Sequence, residues 1–261
     1  MVKVLIPSGA LGLGYDRAAL ARGIAQKPDI IAIDGGSTDS GPHYLGTGTS
    51  KYSRNSTKAE WRELMAARAE AGVPLVIGTA GTCGADDAVD WLVEITREIA
   101  AETGESLRLA VLKSGQDNQT MVAALRAGRI TPLPAAPEIS DTLLLECTNI
   151  VALAGAEQIQ EALNTGADII IAGRTTDTAI ISALPLARGC HAGGCWHGAK
   201  IGECGALATT SPNSGTIMIA FDAEGFTMTP MGAEARATPR TVSAHMLYEN
   251  SDPHILYEPG G

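Results

Sequence analysis

The chain has 261 residues, 45% hydrophobic, and nineteen Lys and Arg against twenty-nine Asp and Glu, for a formal charge of −10. That apolar content suits a globular core, while the negative charge and only 4% aromatic residues give neither the electrostatic footprint nor the stacking surface for nucleic acid or an anionic membrane. No apolar stretch reaches the ~20 residues that span a bilayer and the amino terminus has no signal-peptide pattern, so a cytoplasmic protein with reduced cysteines is expected.

In chain order, a first strand is expected at 2–6, ending in "PSGALGLG". A helix at 16–26 follows, then a strand at 29–33 that stops at "DGGSTDSGPHYLGTG". This connection is about twenty residues long where 2–6 is usual, and such loops are commonly functional. A helix at 56–71 offers Ser56 or Thr57 as cap with Glu60 near the third helical position, and Gly72, Gly104 and Gly128 stand where C-terminal glycines belong. Strands at 74–77, 107–112, 149–153 and 168–172 alternate with helices at 86–102, 118–127 and 156–164. Residues 216–230 pattern as a hairpin turning at 222–225, and a last helix at 239–248 has Thr238 as cap and Pro239 at its first position.

Apolar runs that do not alternate are buried on both faces, and helices between them make parallel βαβ units. The expected fold is therefore α/β: a doubly wound, three-layer parallel sheet of about six strands over residues 1–185. Residues 186–261 form a C-terminal α+β extension, containing the hairpin, that packs on the same domain.

Ligands of open parallel sheets lie beyond the carboxyl ends of the strands. Five of these ends, "PSGALGLG", "DGGSTDSGPHYLGTG", "GTAGTCGADD", "KSGQDN" and "GRTTDT", are rich in Gly, Ser and Thr. Glycines admit a ligand close to the backbone, and helix amino termini favour an anionic one. Ser8, Gly9, Ser37, Thr38, Gly81, Thr82 and Thr176 are thus candidate substrate-binding residues. Two of the loops echo each other, with Ser37-Thr38-Asp39 in one and Thr175-Thr176-Asp177 in the other. The plainer reading is turn chemistry, with Asp39 or Asp177 capping a helix; Asp177→Asn then lowers thermal stability and leaves binding alone.

Gly9-x-x-Gly12-x-Gly14 is not Gly-x-Gly-x-x-Gly, and no Gly-Lys-Ser/Thr is present, so neither NAD nor ATP is indicated. "CHAGGCWH" offers Cys190, His191, Cys195 and His197 as soft metal ligands. Structural zinc sites pair cysteines two to four apart with a distant second pair, so a glycine-rich loop with packed thiols is the preferred reading. A helix from His197 brings Lys200, Glu203 and Cys204 within one turn; spacing alone favours a surface Lys–Glu pair and a buried cysteine. His43, His245 and His254 are acid–base candidates near neutral pH, with His245 and Tyr248 at i,i+3.

"KPDIIAIDGGSTDSGPHYLGTG", "PLVIGTAGTCGAD", "GADIIIAGRTTDTAIISALPL", "HGAKIGECGALA" and "TPRTVSAHMLYENSDPHILYEPGG" together resemble the acyclic terpene utilisation AtuA family, in the same order over nearly the whole chain. The Asp-Gly-Gly-Ser-Thr-Asp, Ala-Gly-Arg-x-x-Asp and Glu-Cys-Gly-Ala segments are the most specific. His197 and the Lys200, Glu203, Cys204 run belong to that pattern; the cysteines of "CHAGGCWH" do not. The resemblance implies bacterial catabolism of branched or acyclic acids and terpenoids beside acyl-CoA enzymes. It also implies relatives that continue past residue 261 and work with, or are fused to, a small accessory domain.

The expected function is an enzyme moving a proton next to the carbonyl of a small carboxylic acid or acyl-CoA thioester, as a hydratase, lyase or isomerase. Arg174 would hold the substrate carboxylate bidentately. Asp39, Asp177, Glu203 and Lys200 would be the catalytic residues. A divalent ion such as Mg²⁺ would suit oxygen ligands from Asp34, Asp39 and Asp177. The alternative is a noncatalytic ligand-binding or accessory subunit whose small partner protein supplies the chemistry. A homo-oligomer is expected.

Overall fold

The structure is a computed structural model that describes residues 1–36, 42–250, 252 and 254–259. Its elements are β1 (Val2–Ile6), α1 (Arg17–Ala25), β2 (Ile30–Asp34), α2 (His43–Thr47), α3 (Arg54–Ala71), β3 (Leu75–Gly78), α4 (Asp86–Thr103), β4 (Leu109–Leu112), α5 (Asn118–Arg126), α6 (Asp141–Glu146), α7 (Ala156–Asn164), β5 (Ile169–Ala172), α8 (Asp177–Ala187), α9 (Ala192–Gly202), β6 (Ile217–Phe221), β7 (Phe226–Pro230) and α10 (Pro239–Glu249).

All seven strands among the described residues join one sheet in the order β4-β5-β3-β2-β1-β6-β7. β1 to β5 run parallel, with Val4 opposite Ile30, Val76 opposite both Ala32 and Ile170, and Ala110 also opposite Ile170. β6 lies antiparallel to β1 and β7 antiparallel to β6, so the expected hairpin extends the sheet at the β1 side.

Every strand residue of β2, β3 and β5 is buried, because the sheet is covered on both faces. Leu5, Ile31, Ile33, Ile77 and Ile171 point to one face, where Leu20 of α1, Trp61 and Leu64 of α3 and Leu92 of α4 meet them. Val4, Ile30, Val76 and Ile170 point to the other, against Ile159 of α7, Ile180 of α8 and Ala199 of α9. Each fully buried Leu or Ile contributes about 1.5–3 kcal/mol, and this double cover is the three-layer architecture the apolar strands predict. β4 and β7 are the edges, only half-buried, and Val111 of β4 is 42% exposed.

Three local expectations need correction. Residues 149–153 form no strand: Val151 makes an isolated antiparallel bridge to Gly115, and Ala152 and Leu153 are exposed. The segment lacks two covered faces, so its apolar run cannot make a central strand. "CHAGGCWH" is not a loop but the start of α9. α3 begins earlier than expected, capped by Ser53, whose hydroxyl accepts from Ser56 N at 3.2 Å. Glu60 is thereby free of capping and accepts from Gly12 N at 2.6 Å, tethering the loop after β1. Gly72 and Gly104 do end α3 and α4 in the left-handed region, and Thr238 caps α10 with Pro239 at its first position.

Candidate active site

The carboxyl ends of the parallel strands form the floor of a cleft of about 840 Å³. Ser8, Gly9 and Ala10 come from the loop after β1, Asp34 from the end of β2, Thr82 from the loop after β3, and Asp177 from the start of α8. Glu203 and Cys204, just past α9, and Glu249, at the end of α10, complete its acidic wall. The volume falls in the range of small-molecule sites.

The Asp-Gly-Gly turn explains how the second and third loops approach so closely. A Cβ on Gly35 would stand 2.5 Å from the Thr79 carbonyl oxygen, and one on Gly36, at φ +147°, 2.5 Å from Thr82 Cα. Thr79 and Thr82 themselves have positive φ, at 47° and 78°, which is strained for β-branched residues and characteristic of functional loops. Leu11 N donates to the Asp34 carbonyl at 2.8 Å, pinning the first loop over the end of β2.

Asp34 is 4% exposed. Its Oδ2 accepts from Gly36 N at 3.1 Å, and among the described residues nothing hydrogen-bonds to its buried Oδ1. Burial, and then the Asp177 carboxylate, raise its pKa well above the ordinary value, partly offset by the Arg174 guanidinium. Asp177 is likewise raised, to about 6, by burial, against Arg174 and Lys200, which lower it. Asp177 does not cap α8: the Thr176 hydroxyl does, accepting from Ala179 N at 3.2 Å. Arg174 reaches Thr79 Oγ1 at 3.3 Å and balances the Asp34 and Asp177 charges.

Lys200 and Glu203 pair at 2.7 Å, and the pair is buried, with side chains 13% and 4% exposed. The surface pair that spacing favours is thus corrected: α9 turns this face toward α10 and the cleft. Burial pushes the Glu203 carboxyl up to about 9 in spite of Lys200. Burial also works against the Lys200 ammonium, but Glu203 and Glu249 outweigh it and leave Lys200 above the usual lysine value. An excess of carboxyl groups over cations raises acid and base alike.

Beside this group stand three residues from two elements. Cys204 Sγ donates to Glu249 Oε1 at 3.2 Å. His245 is 4% exposed, and among the described residues neither ring nitrogen has a hydrogen-bond partner; the Lys200 backbone faces the ring outside hydrogen-bond geometry. Burial lowers its pKa, while burial and then Glu249 raise that of the Cys204 thiol. The near neighbour of His245 on α10 is Glu249 at i,i+4, not Tyr248, which is 70% exposed.

Of the residues expected in a site, Ser8, Gly9, Asp34, Thr82, Asp177 and Glu203 line one cleft. Ser37, Thr38 and Asp39 lie outside the described residues, so of the aspartates expected to hold Mg²⁺ only Asp34 and Asp177 can be placed together. Gly81 forms the turn beside Thr82, at φ +65°. The soft cluster at 190–197 is dispersed: His191 caps α9 by accepting from Gly194 N at 3.0 Å, Cys195 packs into the core, and His197 stacks edge-on to Phe226. Lys51, Tyr52 and Glu249 also line the cleft and are not singled out from the sequence. Lys51 and Tyr52 lie in the long second connection, whose length is their only signal; Glu249 lies in the last of the segments that carry the family resemblance.

The fold is that of an α/β protein with a mostly parallel sheet and a cleft at its strand carboxyl ends. A family model described as "Acyclic terpene utilisation family protein AtuA" matches residues 43–260, and the chain belongs to that family. No curated protein and no solved structure matches it. No described helix is long and apolar enough to cross a membrane.

Proposed function

We propose that the protein is a catabolic enzyme of acyclic terpene utilisation that moves a proton next to the carbonyl of a branched carboxylic acid or its acyl-CoA thioester, in a hydratase, lyase or isomerase reaction. The observation that carries this is the convergence of Asp34, Asp177 and Glu203, from three separate segments, on one cleft, with Lys200 paired to Glu203 behind its wall. Family membership supports the substrate class. Perturbed carboxyl groups gathered in a cleft mark acid–base sites.

Asp177, near neutral in its proton affinity, takes the proton from the carbon beside the carbonyl, and Lys200 with Glu203 returns one. Arg174 balances the acids and holds the carboxyl end of a free acid. Leu13 and Leu207 at the mouth suit a branched apolar tail.

The test is solvent exchange. Incubated in D₂O with a panel of branched, unsaturated acids and their CoA thioesters, the wild type incorporates deuterium beside the carbonyl of one of them. Asp177→Asn lowers that rate by about 10²–10⁴-fold, the usual worth of a general base, and keeps binding within severalfold. Absence of exchange with every member of the panel would falsify the assignment.

The second reading is a noncatalytic ligand-binding subunit that needs a small partner. Exposed Leu247, Tyr248 and Tyr257, 72%, 70% and 86% accessible, favour it, since Tyr248 also borders the cleft. Binding of a thioester with no exchange until a companion subunit is added supports this second reading.

A further inference from the structure

The geometry points to a site for one divalent transition-metal ion of the zinc class, held by Cys204 Sγ, a His245 ring nitrogen and a Glu249 carboxylate oxygen, with a fourth position open to the cleft. The three donor atoms lie within 4.8 Å of one another. Metal–ligand distances of about 2.0–2.3 Å let one ion reach all three with roughly sub-ångström side-chain movement. Sulfur, imidazole and carboxylate together select a borderline-soft cation over Mg²⁺ or Ca²⁺.

His245 supplies the independent sign of a ligand. It is 4% exposed, yet among the described residues neither ring nitrogen has a hydrogen-bond partner, the Lys200 backbone standing outside hydrogen-bond geometry. Leaving such a group buried and unsatisfied costs about 1–3 kcal/mol, and native structures do so where an ion or catalytic task accounts for it. His245 and Glu249 are four residues apart on α10, hence on one helical face, and that face meets Cys204 just past the end of α9.

The surroundings accept a dication. Among the described residues, the carboxyl groups of Asp34, Asp177, Glu203, Glu249 and Glu258 face the cations of Lys200, Arg174 and, across the cleft, Lys51, so acids outnumber cations. Lys200 sits 3.7 Å from Glu249 Oε2 and leaves Oε1, on the cysteine side, for the ion. On binding, the thiol proton now shared with Glu249 leaves to solvent and the sulfur ligates as thiolate. Three protein ligands with an open fourth position are the arrangement of catalytic rather than structural zinc. Because Cys204 and Glu249 line the cleft, that position faces whatever binds there.

Metal uptake is independent of the reaction proposed above, and the experiment reads it without an activity assay. Full-length protein stripped by chelator is titrated with Zn²⁺, Co²⁺ and Mg²⁺. The wild type takes one Zn²⁺ per chain with a rise in Tm, Co²⁺ gives a thiolate charge-transfer band with tetrahedral d–d absorption, and Mg²⁺ does neither. His245→Gln and Cys204→Ser each weaken zinc by more than the 10–100-fold that loss of a mere supporting hydrogen bond costs. Cys204→Ser also abolishes the charge-transfer band, whereas Cys147→Ser keeps it. Melting curves of the metal-free variants establish folding; if Cys204→Ser does not fold, Glu249→Gln, on the cleft wall, carries the affinity test. No thiolate band in the wild type, a band that survives in Cys204→Ser, or equal Tm shifts with Mg²⁺ and Zn²⁺ would each overturn the site.

Discussion

Asp177 occupies the first helical position of α8, behind the Thr176 cap, where a negative charge is favoured by the helix amino terminus. Burial outweighs that benefit and lifts its pKa from 3.8 to about 6. A carboxyl raised in the folded state binds its proton more tightly there, so its contribution is most favourable below pH 3.8 and is lost as pH rises to about 6. Asp177→Asn removes this loss. The difference in unfolding free energy, variant minus wild type, should therefore become more positive between pH 4 and pH 8, by up to about 3 kcal/mol. Urea denaturation at the two pH values measures it. A purely structural Thr-Asp loop calls for the opposite, a less stable variant. Gly36 is the second residue to probe: at φ +147° any added Cβ would stand 2.5 Å from Thr82 Cα, so Gly36→Ala should cost at least about 1 kcal/mol, read as a fall in the denaturation midpoint.

Among the elements, α10 carries two of the three metal-site residues and is held at its start by reciprocal hydrogen bonds between Thr238 and Thr241. Thr238→Ala should lower stability by about 1 kcal/mol, seen in thermal unfolding of the metal-free protein. α8 shows why one helix escapes a reading by periodicity. Seven of its residues, Thr178 to Ala183 and Pro185, are buried, since it lies between the sheet and its neighbours α7 and α9. A helix covered on all sides has no polar face and so no 3.6-residue period. α3 and α4 are the contrary case, with half-buried Arg54, Lys58 and Arg62 facing Glu98 and Glu102 at the surface. Such surface pairs contribute little, so the amphipathic face that seats Trp61 and Leu92 in the core decides where these helices lie.

For the molecule as a whole, the sheet order puts β5, β3, β2, β1 and β6 in the interior and β4 and β7 at the rims. Hydrogen exchange should follow that order, with amides of β2, β3 and β5 slowest and those of β4 and β7 faster, because edges open without unfolding the core. Equal protection across all seven strands would contradict it. The same order gathers the loops after β1, β2, β3 and β5 at one edge of the sheet, and the hairpin β6–β7 lengthens the sheet beyond β1.

The five parallel strands, the hairpin, the cap at Thr238 and the glycines after α3 and α4 are readable from the chain, because hydrophobic period and turn chemistry act over a few residues. The glycine- and threonine-rich strand ends are equally plain, and they predict which edge of the sheet holds the cleft. Other features depend on what covers a segment or meets it from afar. Residues 149–153 have a strand's composition without two covered faces, and Lys200–Glu203 has surface spacing but a buried position. Cys204 and Glu249 stand 45 residues apart in the chain and 3.2 Å apart in space. No local pattern encodes that approach; it follows from the docking of α10 against the end of α9, which buries His245 beside them.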